Sequence, residues 1–302
     1  MPTPFTCIGH QGAVYALASR SDGERFLSAG GDGWIVEWHL SAPEKGLLLA
    51  TASVQLFSLL ALPNGRDAVA GDMNGGTHWI DLSERKRIRG VQHHHKGVFD
   101  LKYREPWVLS AGGEGTLSRW DVRRQNVVES VRLSHRSLRA IALAEGRREI
   151  AVGASDTNIY LLDSETLQLR HTLRGAHTPS TFSLAYAPDE RCLLSGGRDA
   201  MLRVWDLTGP VPRLVQEQPA HWFTINHIAW SPSGRYFATA SRDKTVKIWD
   251  GATFRLCRVF DPVRDGGHIS SVNRLLWLPE ALISAGDDRT VKIWKLGPEF
   301  CQ

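Results

Sequence analysis

Between residues 239 and 250 the chain reads TASRDKTVKIWD: three small residues, an acidic turn, then Val246 and Ile248 alternating with Lys247 and Trp249. Period two over such a run marks a β-strand, with Val246 and Ile248 expected on its inner side and Lys247 and Trp249 on its outer side. The same arrangement, an acidic or amide turn residue six places ahead of a large apolar or aromatic one, occurs six more times. It stands at residues 28–38, 70–80, 110–120, 152–162, 195–205 and 284–294. The third-strand ends therefore fall near 38, 80, 120, 162, 205, 249 and 294, in steps of 40–45 residues. A fixed period of this length marks an array of one repeated unit.

Each period reads as four short strands. In the first they are 14–18, 25–29, 34–38 and 47–51; in the sixth, 225–231, 236–240, 244–249 and 255–260. Ser-Asp-Gly at 21–23 and Pro-Ser-Gly at 232–234 are turn chemistry between alternating runs. Helical periodicity is absent. One four-stranded sheet cannot cover two apolar faces by itself, so the units are expected to pack radially. The fold class is thus all-β: a seven-bladed β-propeller of four-stranded antiparallel blades, one domain over residues 1–302. The closing residues KLGPEFCQ (295–302) are too few and too poorly patterned for a last fourth strand, whereas residues 4–8 form a short apolar one. The N-terminal strand is expected to complete the seventh blade and close the ring, removing exposed sheet edges.

Composition changes this picture little. With 42% hydrophobic and 23% charged residues the chain can build a large core. Its formal charge of +4, from 36 basic and 32 acidic residues, is too small to imply nucleic acid by itself. No apolar run reaches membrane-spanning length; the longest, 47–62, is broken by polar residues. The first ten residues lack the basic start and apolar middle of a secretory signal. Cys7, Cys192, Cys257 and Cys301 have neither disulfide-framework nor zinc spacing, so a reducing, cytoplasmic setting is expected, or a nuclear one in a eukaryote.

The chain resembles the WD-repeat (WD40) family over nearly its whole length. The family's Gly-His dipeptide stands as Gly9-His10 and Gly267-His268, with relatives at His94, His135, Ala176-His177 and Ala220-His221. Its Trp-Asp ending stands as Trp120-Asp121, Trp205-Asp206 and Trp249-Asp250. The resemblance implies a hydrogen-bonded tetrad in each regular blade: loop His, second-strand Ser or Thr, turn Asp, third-strand Trp. Four periods match in full: His10, Ser28, Asp32, Trp38; His177, Ser195, Asp199, Trp205; His221, Thr239, Asp243, Trp249; and His268, Ser284, Asp288, Trp294. A buried Asp is costly unless paired, and the His and backbone donors would satisfy it. The third period has Glu114 for Asp beside His94, Ser110 and Trp120, which puts its geometry in question. The second (Ala70, Asn74, Ile80) and fourth (Val152, Asp156, Leu162) lack the hydroxyl and the Trp, and are expected to be looser.

Repeated His, Asp and Ser do not make a hydrolase: a triad needs one exposed nucleophile and an oxyanion hole at one place, and here the Ser is inside a strand. His93-His94-His95 could attract a metal, but neighbours on an extended segment point opposite ways and no Cys or carboxylate completes a site. Glycine-rich stretches such as 111–115 precede no helix and cannot cradle a phosphate in the usual way. No catalytic residue, metal or cofactor is expected.

A more informative set follows the first apolar residue of each first strand: Tyr15, Phe57, Phe99, Arg139, Phe182, Asn226 and Asn273. In peptide-reading members of the family the equivalent position lies at the mouth of the central channel on the narrower face. The residues before the turn acids lie on the same face in that family; here they are Gly31, Met73, Gly113, Ser155, Arg198, Arg242 and Asp287. Trp222 and Phe223 would add an apolar edge. Aromatic and Arg side chains are the usual anchors of an interface. The same aromatics would equally serve as core between blades. The expected function is a non-enzymatic protein-interaction scaffold or recognition subunit, binding a peptide or protein partner on this face within a larger complex. Nucleic-acid or phospholipid binding through the basic side is the alternative, and an enzymatic propeller the third.

Overall fold

Alternating apolar runs on a sheet of only four strands demand cover on both sides. The computed structural model, which describes residues 3–297 and residue 300, meets that demand with seven four-stranded antiparallel sheets set around a channel. Within blades 1–6 the strands follow chain order outward from the axis, and blade 7 does so for its first three strands. The inner strands are Val14–Ser19, Leu56–Ala61, Val98–Arg104, Leu138–Ala144, Thr181–Tyr186, Ile225–Trp230 and Val272–Leu278. Each packs against the inner strand of the next blade, and the last returns to the first, so the ring is complete.

Blade 1 (Val14–Ser19, Arg25–Gly30, Trp34–His39, Leu47–Thr51) and blade 6 (Ile225–Trp230, Tyr236–Ser241, Val246–Asp250, Leu256–Phe260) agree with the sequence pattern to within two residues. The third strand of blade 6 starts later than its pattern implies because Lys244 has a left-handed backbone, φ 74°. That position is left-handed in every blade: Gly33, Gly75, Gly115, Thr157, Ala200, Lys244 and Arg289 follow the turn residue and all have positive φ. At Gly75 and Gly115 no side chain fits, since a Cβ would lie 2.1 Å and 2.0 Å from the carbonyl oxygens of His94 and Ser134.

One expectation is corrected. Trp249 does not face outward to solvent; it is buried. Val246 and Ile248 pack with Val272, Leu275 and Trp277 of blade 7, whereas Trp249 packs with Leu194, Leu202 and Phe237 toward blade 5. Alternation along this strand therefore sorts side chains between two inter-blade cores, because a radial sheet has two dry faces. Solvent is reserved for the outer strands, such as Lys86–Gln92, which is exposed nearly throughout.

Closure is as the chain ends imply. Phe5–Ile8 pairs antiparallel with Thr290–Trp294, matching Phe5 with Ile293 and Cys7 with Val291, and so supplies the fourth strand of blade 7. Lys292 Nζ adds a 3.0 Å bond to Thr6 Oγ1. Cys7 is fully enclosed, and burial, with a small contribution from Glu44, pushes its thiol up to about 12. Of the closing segment, residues 295–297 form no strand, and Cys301 lies outside the described residues.

Deleting residues 1–9 removes this pairing and lays open the edge of Thr290–Trp294. The melting temperature should fall by about 5 °C, the scale of a ~3 kcal/mol loss in a chain of this size. Thermal unfolding with size-exclusion chromatography checks it; an unchanged melt and a monodisperse peak would rule out a latch.

Candidate functional site

The loop ahead of each inner strand meets the turn between the second and third strands on one face of the ring, and the four matching tetrads sit there. His10 Nδ1 is 2.8 Å from Asp32 and its Nε2 2.7 Å from Ser28 Oγ, which accepts from Trp38 Nε1 at 2.7 Å. The corresponding distances are 2.9, 2.8 and 2.9 Å for His177, Asp199, Ser195 and Trp205. They are 2.9, 2.7 and 2.9 Å for His221, Asp243, Thr239 and Trp249. For His268, Asp288, Ser284 and Trp294 they are 2.9, 2.8 and 2.8 Å. The donor order follows from the groups themselves: indole N–H to hydroxyl oxygen, hydroxyl O–H to Nε2, Nδ1–H to carboxylate. This order assigns a neutral imidazole protonated on Nδ1. Each carboxylate also accepts the next loop N–H, from Gln11, Thr178, Trp222 or Ile269.

Three blades solve the same problem differently. In blade 3 the longer Glu114 does close the tetrad, 2.5 Å from His94 Nδ1, with Ser110 and Trp120 in place; its second oxygen is buried and unpartnered among the described residues. In blade 4 the loop position belongs to Ser134, four residues ahead of the inner strand, and not to exposed His135. Ser134 and Tyr160 both donate to Asp156, at 2.5 and 2.6 Å. In blade 2 the acid is Asp72 on the second strand, not turn residue Asn74. Asp72 accepts from the Asn74 and Gly76 N–H groups at 2.8 Å and pairs with His78 at 2.8 Å. Burial does not mark blades 2 and 4 as looser, since Ala70, Ile80, Val152 and Leu162 are all enclosed. His93, His94 and His95 diverge: His94 is in its tetrad, His93 bonds Ser118 and meets Trp120 edge-on, and His95 is exposed.

The mouth of the channel is shaped by one device used seven times. Register shifts between the first and third residue of every inner strand, a β-bulge that re-aims the second side chain. The seven residues so placed are Tyr15, Phe57, Phe99, Arg139, Phe182, Asn226 and Asn273, all half-buried. Tyr15 meets Phe57 edge-on at 5.4 Å, and Phe57 stacks on Phe99 at 5.5 Å. The Arg139 guanidinium lies 4.0 Å over Phe99 and 5.3 Å from the centre of Phe182. Asn226 bonds the Val272 carbonyl at 2.8 Å, and Asn273 bonds the Val14 carbonyl at 3.0 Å and Asp287 at 2.7 Å. Glycines let the rings lie flat: a Cβ at Gly97 or Gly113 would come within 3.0 Å of Phe57 or Phe99. The aromatics belong to none of the enclosed cores; they form a continuous collar.

Of the residues before the turns, Gly113 lies under Phe99 and Ser155 bonds Arg139. Met73, Arg198, Arg242 and Asp287 are exposed, and neither Arg198 nor Arg242 makes a side-chain ion pair among the described residues. Beside them Trp222 is 87% exposed, Phe223 57% and Ile269 70%.

A charged cluster inside the channel escapes the sequence reading. Arg274 of blade 7 donates to Asp100 of blade 3 at 3.0 Å, with Lys102 and His227 nearby. Its signal is charge at the third or fifth place of an inner strand, where most other blades carry Ala, Ser or Leu.

Two outcomes follow from the tetrads. Thr239→Val leaves the Trp249 N–H and His221 Nε2 buried without partners and should cost about 2–4 kcal/mol in urea unfolding; a neutral effect would remove the tetrad from the stability account. Burial holds His177 and His221 below the ordinary 6.5 despite their Asp partners. Burial would raise the Asp288 carboxyl, but His268, Thr290 and the Ile269 N–H hold it at about 2; Asp199 and Asp243 also lie well below 3.8. All these groups bind fewer protons folded than unfolded, so each contributes stability that is lost as pH falls. The urea midpoint should be level above pH 7, decline below 6.5 and drop again below 4, and a titration of midpoints reads it directly.

Comparison with known proteins agrees with this geometry. The profile described as WD domain, G-beta repeat matches residues 3–39, 167–206, 212–250 and 258–295, about half of the chain and the four blades with full tetrads. Telomerase protein component 1 of Mus musculus is 26% identical over 298 residues, covering 94% of this chain but 11% of that protein. The THO complex subunit 6 homolog of Danio rerio is 28% identical over 176 residues, 51% of this chain and 53% of that protein. The chain thus spans only part of the relatives it matches. Among solved structures the WD40 β-propeller domain of Doa1 superposes with a TM-score of 0.85 at 17% identity, over 98% of this chain and 97% of that one. With seven closed blades, four complete tetrads and a family profile over half its length, this chain belongs to the WD40-repeat family of β-propellers.

Proposed function

We propose that the chain is a non-enzymatic recognition subunit that docks a peptide segment or protein partner on the face carrying the loop histidines. The observation that carries this reading is Trp222. Its backbone N–H is pinned to Asp243 at 3.0 Å, yet its side chain is 87% exposed, with Phe223 and Ile269 exposed on the same face. The fold gains nothing from leaving an indole in water, whereas an interface gains much. Arg198 and Arg242 stand on the same side without ion pairs among the described residues and favour an acidic flank on the partner. Arg139 is committed instead to the Phe99 and Phe182 rings, so the collar of Tyr15, Phe57, Phe99 and Phe182, with Asn226 and Asn273, offers a flat socket for one inserted side chain. Telomerase and THO complex components by name among the relatives support work within a larger assembly. Cys7, Cys192 and Cys257 as free thiols support a reducing compartment, cytoplasmic or nuclear.

The test is affinity capture with the full chain, followed by mass spectrometry. Trp222→Ala, Arg242→Glu and Phe99→Ala, each confirmed folded by melting, should lose the captured protein, with anchor truncations weakening binding by about 2 kcal/mol or more. Val215→Ala on the exposed outer strand of blade 5 should retain it. Partners kept by all three variants would exclude this face. Capture of nucleic acid alone, with steep salt dependence, would favour the basic-rim alternative.

A further inference from the structure

The Arg274–Asp100 pair joins blades that are not neighbours in the ring, so it crosses the channel and divides it. Above it is the collar; beyond it, toward the far ends of the inner strands, lies a cavity of about 480 Å³ lined by all seven blades. Its wall is mixed, with Leu60 and Leu276 beside Lys102, His227 and Arg274.

The polar groups in this cavity are unevenly matched. Asp100 is the cluster's one carboxylate, and it is fully engaged: Oδ1 accepts from Arg274 and the Leu101 N–H, Oδ2 from the Ile141 N–H at 2.9 Å. Lys102 makes no hydrogen bond and no ion pair within 4 Å among the described residues. Arg274 commits one nitrogen to Asp100 and keeps 19% of its side chain accessible. His227 Nδ1 accepts from the Leu275 N–H at 3.3 Å, so the imidazole is neutral and carries its proton on Nε2, free to donate. What remains is a set of donors with no acceptor and one cation in excess. Lys102 is half-buried; a cation drawn partly out of water and sharing one carboxylate with Arg274 is under-compensated, and a ligand oxyanion would complete its charge balance.

We propose that this cavity binds a small organic anion, its carboxylate or phosphate head among Lys102, Arg274 and His227 and its short apolar body along Leu60 and Leu276. The volume lies within the ordinary range for small-molecule sites, about 300–1,000 Å³. Titration behaviour agrees with it. Asp100 draws the Lys102 ammonium up, but burial and the charge of Arg274 outweigh it, leaving Lys102 below the usual 10.5. Burial, then Arg274 and Lys102, also press His227 well below 6.5. The groups facing Lys102 are Asp100, Arg274 and His227; with both of their pKa values lowered, Asp100 stays ionised and His227 neutral between pH 7 and 9. An anion favours the charged lysine, so its affinity is full where Lys102 is already protonated and falls as pH rises through the depressed value.

The experiment uses the full chain with inorganic phosphate, hexyl phosphate and hexanoate as probes, at constant ionic strength set with chloride. Melting shifts and titration calorimetry should show saturable binding of a hexyl probe, stronger than inorganic phosphate and weakening from pH 7 to 10. A preference for hexyl phosphate or hexanoate identifies the head group. Lys102→Met removes an unpaired cation, so it should melt no lower than the parent in chloride while binding the probe at least about tenfold more weakly. Lys102→Gln serves as the second variant. No saturable binding by any probe, unchanged binding in both variants, or binding abolished only by Arg198→Ala and Arg242→Ala on the outer face would overturn the assignment.

Discussion

Every blade of this molecule has two apolar faces, and the burial of both is the constraint from which the other features descend. A free four-stranded sheet would leave both faces wet, so the blades close on each other, and seven of them leave a ring with a single seam. The seam is shut by pairing Phe5–Ile8 with Thr290–Trp294, which joins the two ends of the chain in one sheet. Covalent continuity within blades 1–6 is thereby matched by a hydrogen-bonded ladder in the seventh. Because inner and middle strands are sandwiched, their alternate side chains feed different cores, as Ile248 and Trp249 do.

Close packing near the axis also explains where chemistry can appear. Inner strands converge there, and a bulge at the second residue of each turns one side chain per blade toward the mouth. What occupies those places is not dictated by the fold: four aromatics, one Arg and two Asn do, and they hold one another in a collar. The three blades outside the family profile supply Phe57, Phe99 and Arg139, as well as Asp100 and Lys102 within the channel. The remaining members of both sets, including Tyr15, Phe182, His227 and Arg274, come from blades the profile matches.

Two kinds of polar cluster stand out in the interior. In the tetrads each donor has an acceptor, from the indole N–H through hydroxyl and imidazole to carboxylate, and such a closed chain serves stability and rigidity. In the channel, Asp100 is saturated while Lys102 is left over. The first arrangement is complete in itself; the second is complete only with something further in it. That difference, more than residue type, separates framework from site in a molecule where His, Asp and Ser recur in every part.

The repeat length, strand order, blade number and four tetrads were legible in the sequence because each depends on local spacing: six residues from turn acid to Trp, four from loop His to inner strand. The latch was legible too, by counting strands at the two ends. Substitutes were not. Ser134 and Tyr160 holding Asp156, or Asp72 with His78, use positions the repeat does not mark, and only folding brings them within reach. Trp249 was misplaced because alternation reports two faces without saying that both are dry. Least visible was the cross-channel pair: Asp100 and Arg274 are separated by 174 residues and meet only because seven inner strands share one axis. Local pattern determined the blades, and closure of the ring decided which of their side chains would meet.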